Sequence, residues 1–301
     1  MAFHHDIVFI GHVAVDEIHP FEGATHRING GAVQFSAMAA ASWSDKKIAV
    51  ITRMAEKDEG ILDEMRKAGI VIYSQHSSES TFMSLIHSTE NPDERQLFLR
   101  RSAGYFSIDD LPDIEPCRAH LVGITDHEFT FEFMSKLKNR GFMVSVDMQS
   151  FVRRVDTHTG AIYLEDVPLK KDIAATATKI KLDAVEAKVL TGTENPEDAA
   201  ITFEKWGTDE TLITNATGVL VRSKGQSYFE RFSNRSNAGR TGRGDSTFAA
   251  YLTYRIDHDV AESLKFAAAL ASIKVETPGV FRGTLEQILT RIETDRFSDF
   301  A

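Results

Sequence analysis

Cysteine is almost absent from this chain: Cys117 is the only one among 301 residues. A lone thiol cannot close an internal disulfide, which excludes a disulfide-stapled scaffold and points to a reducing compartment. Basic runs are also missing. Lys and Arg number 34 against 44 acids, a net charge of −10, so nucleic acid and anionic membrane are poor partners. Long apolar runs do not occur either. Ile7-Val8-Phe9-Ile10 is too short for a signal or a membrane span and has no positive segment before it, so a cytoplasmic protein is expected. No repeat, low-complexity tract or linker divides the chain, and a single domain over residues 1–301 is expected. What is present is 42% hydrophobic residues, ample for a sizeable core.

Those apolar residues come in alternating patterns. Ile7–Ile10 reads as a buried first strand; Ala32 to Trp43 as a helix rich in small residues; Lys46 to Arg53, Asp58 to Gly69 and Ile70 to Tyr73 as strand, helix, strand. His120 to Ile124, Phe129 to Arg140, and Phe142 to Asp147 repeat the alternation, which predicts an α/β protein with a mainly parallel sheet. Thr81 to His87 and Arg95 to Arg100, separated by Asn91-Pro92-Asp93, read instead as a hairpin with one wet face. Glu262 to Val275 is apolar nearly all round and predicts a buried helix stopped by Thr277-Pro278-Gly279.

One stretch carries chemistry more plainly than the rest. Arg240-Thr241-Gly242-Arg243-Gly244-Asp245-Ser246-Thr247 runs into a helical pattern in which Phe248, Leu252 and Ile256 recur every four residues. Glycines at 242 and 244 let the backbone turn tightly, and a helix start adds unpaired N–H groups and partial positive charge, so this mouth can hold an anion. Asp245 then has two readings, a first-turn acid favourable to the helix dipole or a general base beside a held phosphate. An unperturbed Asp, with a pKa of about 4, would be ionised at neutral pH.

Other polar residues sit where strands or helices turn. Asp16 follows the first strand and, on physical grounds alone, reads as a solvated loop residue. Asp147 and Gln149 lie at a strand's carboxyl end, where ligands gather in open parallel sheets. Asp183 and Glu186 read as first-turn acids of a helix. His5, His12, His19 and His26 are seven apart, but Gly11, Pro20 and Gly23 rule out the helix that would align them on a metal.

The glycine turn with the following Phe248-Ala249-Ala250 resembles the signature of the PfkB-type, ribokinase-like carbohydrate kinases. The resemblance spans nearly the whole chain and implies a three-layer α/β/α sandwich around a mainly parallel sheet, with a small β lid from about residues 12–30 and 80–101. It implies ATP-dependent phosphoryl transfer to a hydroxyl of a small sugar or polyol, with Asp245 as base and Gly242, Arg243 and Gly244 as anion hole. Gly11 to Asp16 is similar to the family's opening motif, whose Asp grips two sugar hydroxyls, a task that suits a pure acceptor. Gly30 and Gly31 match its substrate-contacting glycines, while Phe35 stands where the family usually has Asn. Asp147, Gln149 and Arg153 resemble the form seen in the branch with myo-inositol kinases. Thr214, Asn215 and Gly218 resemble a shortened nucleotide contact, with Ala216 near a usual Gly. Lys181 to Gly192 resembles the motif that helps hold Mg²⁺ and the phosphates through water, which assigns Asp183 and Glu186 to that role. Gly239 replaces a frequent acid of a monovalent-cation site, so potassium activation is not implied. Arg243, usually Ala, either adds a cation near the phosphates or faces water.

A nucleoside or pyrimidine-alcohol kinase of the same fold is one alternative, with Phe35 stacked on a base or packed in the core. A non-catalytic sugar- or nucleotide-sensing protein is another. A lid with an apolar outer face would also suit a homodimer.

Overall fold

The computed structural model describes residues 2–89 and 95–298; the turn expected at Asn91-Pro92-Asp93 lies outside them. The strand Ile7–Ile10 shows how the layers arise. Successive side chains of a strand point to opposite faces, and here Ile7 and Phe9 enter one apolar core while Val8 and Ile10 enter another. The first core is closed by the helices Ala32–Ala41, Arg243–Tyr254 and Val260–Val275. The second is closed by Phe131–Asn139, Lys170–Thr176 and Pro196–Lys205. A sheet covered on both faces has strands that are apolar throughout, which is what the unbroken runs encode. The three-layer α/β/α architecture is the one expected.

The central sheet has nine strands in the order Gln226–Arg231, Gly218–Ser223, Glu210–Thr214, Lys179–Asp183, Met143–Asp147, Arg118–Leu121, Ile7–Ile10, Ile48–Met54, Val71–His76. The last seven of these are mutually parallel, and the first two form an antiparallel edge. Asp147, Asp183 and Thr214 all end parallel strands, so their carboxyl ends open on one side of the molecule. A second, four-stranded sheet in the order His26–Gly30, Ala14–His19, Thr81–His87, Arg95–Arg101 is built from the stretches expected to make lid strands. Its Met83, Leu85 and Leu97 line the cavity described below. On the opposite face, Phe82 lies 5.1 Å and 4.9 Å from the Arg27 and Arg101 guanidinium carbons, and Phe98 lies 4.3 Å from that of Arg100.

Two expected helices differ in detail. The Asp58 to Gly69 segment is a 3₁₀ stretch, Glu56–Leu62, followed by a short α-helix, Asp63–Lys67; Gly60 in its middle lowers α-helical propensity. The buried helix starts at Val260 rather than Glu262, because Asp259 and Glu262 form a reciprocal capping box ahead of it.

Candidate active site

Asp245 does not cap the Arg243–Tyr254 helix. The cap is Gly242, left-handed at φ 79°, and no side chain bonds to it. A Cβ on Gly242 would lie 2.3 Å from the Phe35 ring, so both the backbone angle and the packing demand glycine. With no cap, the first-turn amides keep their hydrogen-bonding capacity. Among the described residues the N–H groups of Gly242, Gly244 and Asp245 donate to no protein acceptor, whereas that of Arg243 donates to Arg240 O at 3.2 Å. The expected donor set Gly242, Arg243 and Gly244 is therefore corrected: the Arg243 amide is used within the turn, and the amide of Asp245 replaces it.

The Asp245 carboxylate accepts a hydrogen bond from Gln149 Nε2 at 3.2 Å. The same Nε2 donates to Gly123 O at 2.9 Å, so Gln149 is tied to the sheet and orients Asp245. Burial pushes the Asp245 carboxyl above the usual carboxylate range, against the opposing pull of Lys181 and Arg153. That differs from the unperturbed value expected from sequence, because the strand ends surround the group on several sides.

Asp147 is fully buried and pairs with Lys181 Nζ at 3.0 Å instead of reaching the cavity. Its expected place as a substrate contact is thereby corrected: Asp147 holds Lys181, whose Nζ lies 3.0 Å from where a Gly244 Cβ would be. Carboxylates led by Asp147 raise the Lys181 pKa despite the desolvation that would lower it, so the ammonium is fixed in its charged form under the glycine turn. Glu186 is also fully buried, ion-paired to Arg153 Nη2 at 3.1 Å through Oε1. Through Oε2 it accepts from the Asp183 amide at 2.9 Å. Arg153 itself lines the cavity.

Asp183 caps the Ala184–Thr191 helix, its Oδ1 accepting from Val185 N and Glu186 N at 2.9 and 2.8 Å. It also lines the cavity, as do Thr214 and Asn215, while Gly218 does not. Asn215 Oδ1 is taken up by a turn, accepting from Thr217 N and Gly218 N at 2.8 Å. Gly218 is glycine because a Cβ there would lie 2.3 Å from Glu230 O across the strand pair; it is corrected from a nucleotide contact to a packing position. Among the described residues no group of three or more His, Cys, Asp and Glu is placed to hold a metal. Mg²⁺ usually keeps several waters and takes one or two carboxylates plus donor phosphates; Asp183, which lines the cavity, fits such an arrangement through water, while Glu186 does not line it and its Oε1, near Arg153, accepts no hydrogen bond.

On the side of the second sheet, Asp16 lines the cavity and is nearly buried. Desolvation raises its carboxyl to about 6, with Arg95 pulling it down and Asp245 pushing it up. Gly31 lines the cavity, but Gly30 does not; a Cβ at Gly30 would lie 2.6 Å from Asp16 Oδ2, so Gly30 makes room for the carboxylate rather than touching a ligand.

These groups surround one cavity of about 500 Å³, within the usual range for small-ligand sites. Its described lining has an apolar wall of Phe35, Met83, Leu85, Leu97 and Ile124, with charged residues around it. Arg95, Arg153, Lys181, Arg240 and Arg243 line it beside Asp16, Asp183 and Asp245; Asp147 and Glu186 offset Lys181 and Arg153, and Arg240 and Arg243 add positive charge at the glycine turn. A polyanion is drawn to such a place. Arg243 faces the cavity, its guanidinium carbon 5.2 Å from the Phe232 ring centroid. Sequence reasoning missed Arg95, Lys181 and Arg240 as lining residues. Lys181 opens the motif of Lys181 to Gly192 and was within reach; Arg95 begins the second strand of the expected hairpin, but the hairpin alone does not say that its sheet lies over the glycine turn.

No curated protein matches the chain. Solved structures do. A sulfate complex of a pyrophosphate-dependent kinase in the ribokinase family is 29% identical with a TM-score of 0.87, covering 95% of this chain and 99% of the other. A pyrophosphate-dependent kinase of that family complexed with a pyrophosphate analog and myo-inositol is 28% identical, TM-score 0.85, covering 94% and 99%. Ribokinase from Arabidopsis thaliana, complexed with ribose and ATP, is similar in fold at 18% identity and TM-score 0.75, covering 97% and 99%. The family model described as pfkB family carbohydrate kinase matches residues 4–287, and on that match this chain belongs to the pfkB family of carbohydrate kinases.

Proposed function

We propose that the protein transfers a phosphoryl group to one hydroxyl of a small polyol of the inositol class, with Asp245 as general base. One observation carries the reading: a carboxylate held by Gln149 stands beside first-turn amides with no protein acceptor, in the cavity that Arg240 and Arg243 also line. The acceptor hydroxyl attacks phosphorus in line, its proton passes to Asp245, and the bond to the leaving phosphate oxygen breaks. Developing negative charge is received by the N–H groups of Gly242, Gly244 and Asp245, with Lys181 fixed beneath the turn. A carboxyl pKa raised by burial suits a base at neutral pH better than an unperturbed one.

The acceptor side supports a polyol ring. Asp16 supplies two acceptor oxygens for neighbouring hydroxyls, and the wall of Met83, Leu85, Leu97 and Ile124 suits the C–H face of a ring. Phe35 is packed against Gly242 and has Lys274 Nζ 5.2 Å from its ring centroid, a place in the apolar wall that favours the C–H face of a polyol over a stacked base.

Pyrophosphate is the donor we favour. Arg240 and Arg243 flank the turn, and the described residues on that side, Ala184, Val185, Thr214, Asn215 and Ala216, offer no aromatic ring for adenine. The similar kinases named above as pyrophosphate-dependent support the same choice. ATP is the second reading, favoured by Thr214 and Asn215 at the cavity edge. With either donor, Asp183 would hold Mg²⁺ through water, and the ion would supply charge neutralisation at the phosphates.

The test is transfer from pyrophosphate and from ATP, each with Mg²⁺, to a panel of inositols, sugars and nucleosides, with products followed by ³¹P NMR. A phosphorylated polyol is expected. Absence of transfer from either donor to any hydroxyl removes the assignment.

A further inference from the structure

Beneath the glycine turn lies a charge that the proposed reaction has not used. Lys274, in the last turn of the Val260–Val275 helix, is almost fully buried. Its Nζ donates to Gly239 O and Thr241 O and lies 5.2 Å from the Phe35 ring centroid. No carboxylate is within ion-pair distance of it among the described residues. Burying an ammonium without a counter-ion is costly, and here desolvation pulls its pKa down to about 8 while the Asp245 charge opposes. An apolar side chain would fill the space more cheaply, so the charge is there for the two carbonyls.

Peptide geometry shows what those carbonyls do. A trans peptide is planar, with C=O and the following N–H pointing opposite ways. When Lys274 draws the Thr241 carbonyl inward, the Gly242 N–H on the same plane is turned outward. Drawing in the Gly239 carbonyl orients the Arg240 N–H likewise. Position 239 could not hold a side chain for this purpose: a Cβ there would lie 1.8 Å from Thr277 O.

We propose that Lys274 is the positioning residue of the anion hole, a tethered ammonium that does for the glycine turn what a bound monovalent cation would do, so that turnover needs no free potassium. The inference rests on the kinase reading above for its kinetic arm. A potassium ion and an ammonium are both monovalent cations bound by carbonyl oxygens; the lysine is already attached and carries no dependence on salt.

The experiment compares the full-length wild type and Lys274→Met in tetramethylammonium buffer with and without added KCl, NH₄Cl or methylammonium chloride. The wild type is expected to turn over equally with and without KCl. Lys274→Met should lose about 100-fold in kcat, as expected for a displaced catalytic donor, with acceptor KM little changed. A small cation should then restore part of the loss, which repacking alone would not produce. Stimulation of the wild type by KCl of more than about tenfold overturns the proposal; so does a folded Lys274→Met that keeps wild-type kcat or answers to no cation. Should Lys274→Met fail to fold, the wild-type arm decides alone. Thermal melting gives a readout independent of turnover: KCl, relative to tetramethylammonium chloride, should raise the Tm of Lys274→Met and leave that of the wild type unchanged. An inactive wild type would remove the kinase reading, and the melting comparison would still decide the lysine, with equal responses of the two proteins counting against it.

Discussion

Two helices point their amino ends into the same cavity and treat their first-turn amides in opposite ways. Ala184–Thr191 is closed by a capping box, with Asp183 accepting from Val185 and Glu186 and Glu186 answering to the Asp183 amide. Arg243–Tyr254 begins at a left-handed glycine that caps nothing, and its carboxylate, Asp245, is turned aside to Gln149. Both have an acid in or before the first turn, yet one set of amides is satisfied by the protein and the other finds no protein acceptor among the described residues. The contrast separates a structural helix start from a chemical one better than the identity of the acid does.

The largest expected effect tests the uncapped helix at its carboxylate. Asp245→Asn should lower turnover by roughly 10²- to 10⁴-fold while donor binding, measured by calorimetry, stays near normal; full activity would break the contrast. Next comes the turn itself. Gly242→Ala must place a methyl group against the Phe35 ring at a positive φ, and kcat is expected to fall by about 10²-fold, as for loss of an anion-hole donor.

A smaller effect concerns the acceptor side of the same cavity. The Asp16 carboxyl is raised to about 6, so its acceptor form is present above that pH and lost as protons are added. KM for the polyol should rise by about tenfold between pH 7 and pH 5, a shift that steady-state assays across pH will read. A flat profile would remove Asp16 from hydroxyl binding.

The smallest effect sharpens the comparison from the capped side. Asp183→Ala should cost about 1 kcal/mol of stability, and Asp183→Ser should recover most of it because a hydroxyl can also cap. Thermal melting checks that order. If Asp183 also serves Mg²⁺ through water, both variants should weaken Mg²⁺ activation alike, whatever their stability.

Much of the fold was legible because its signals are local. Ile7–Ile10, Ile48–Met54 and Met143–Asp147 are largely apolar runs, and the covered parallel sheet follows from them. The glycine turn was legible for the same reason: Gly242, Gly244 and Asp245 are neighbours in the chain, and a helix start follows at once. Asp147 and Gly218 were misjudged because their roles depend on partners far away, Lys181 in the one case and Glu230 in the other. Gln149 lines the cavity, but its hydrogen bond to Asp245 could not be read from the sequence, since only the folded chain brings together residues 96 positions apart.

What the sequence determined by itself was the order of layers and the location of an anion-binding helix mouth, because hydrophobic period and glycine flexibility act over a few residues. Which carboxylates face the cavity, which are locked in buried ion pairs, and which lysine sits beneath the turn were decided only by tertiary packing. Desolvation and pairing depend on what surrounds a group in space, and residues 16, 147, 181, 245 and 274 become neighbours only after the chain has folded.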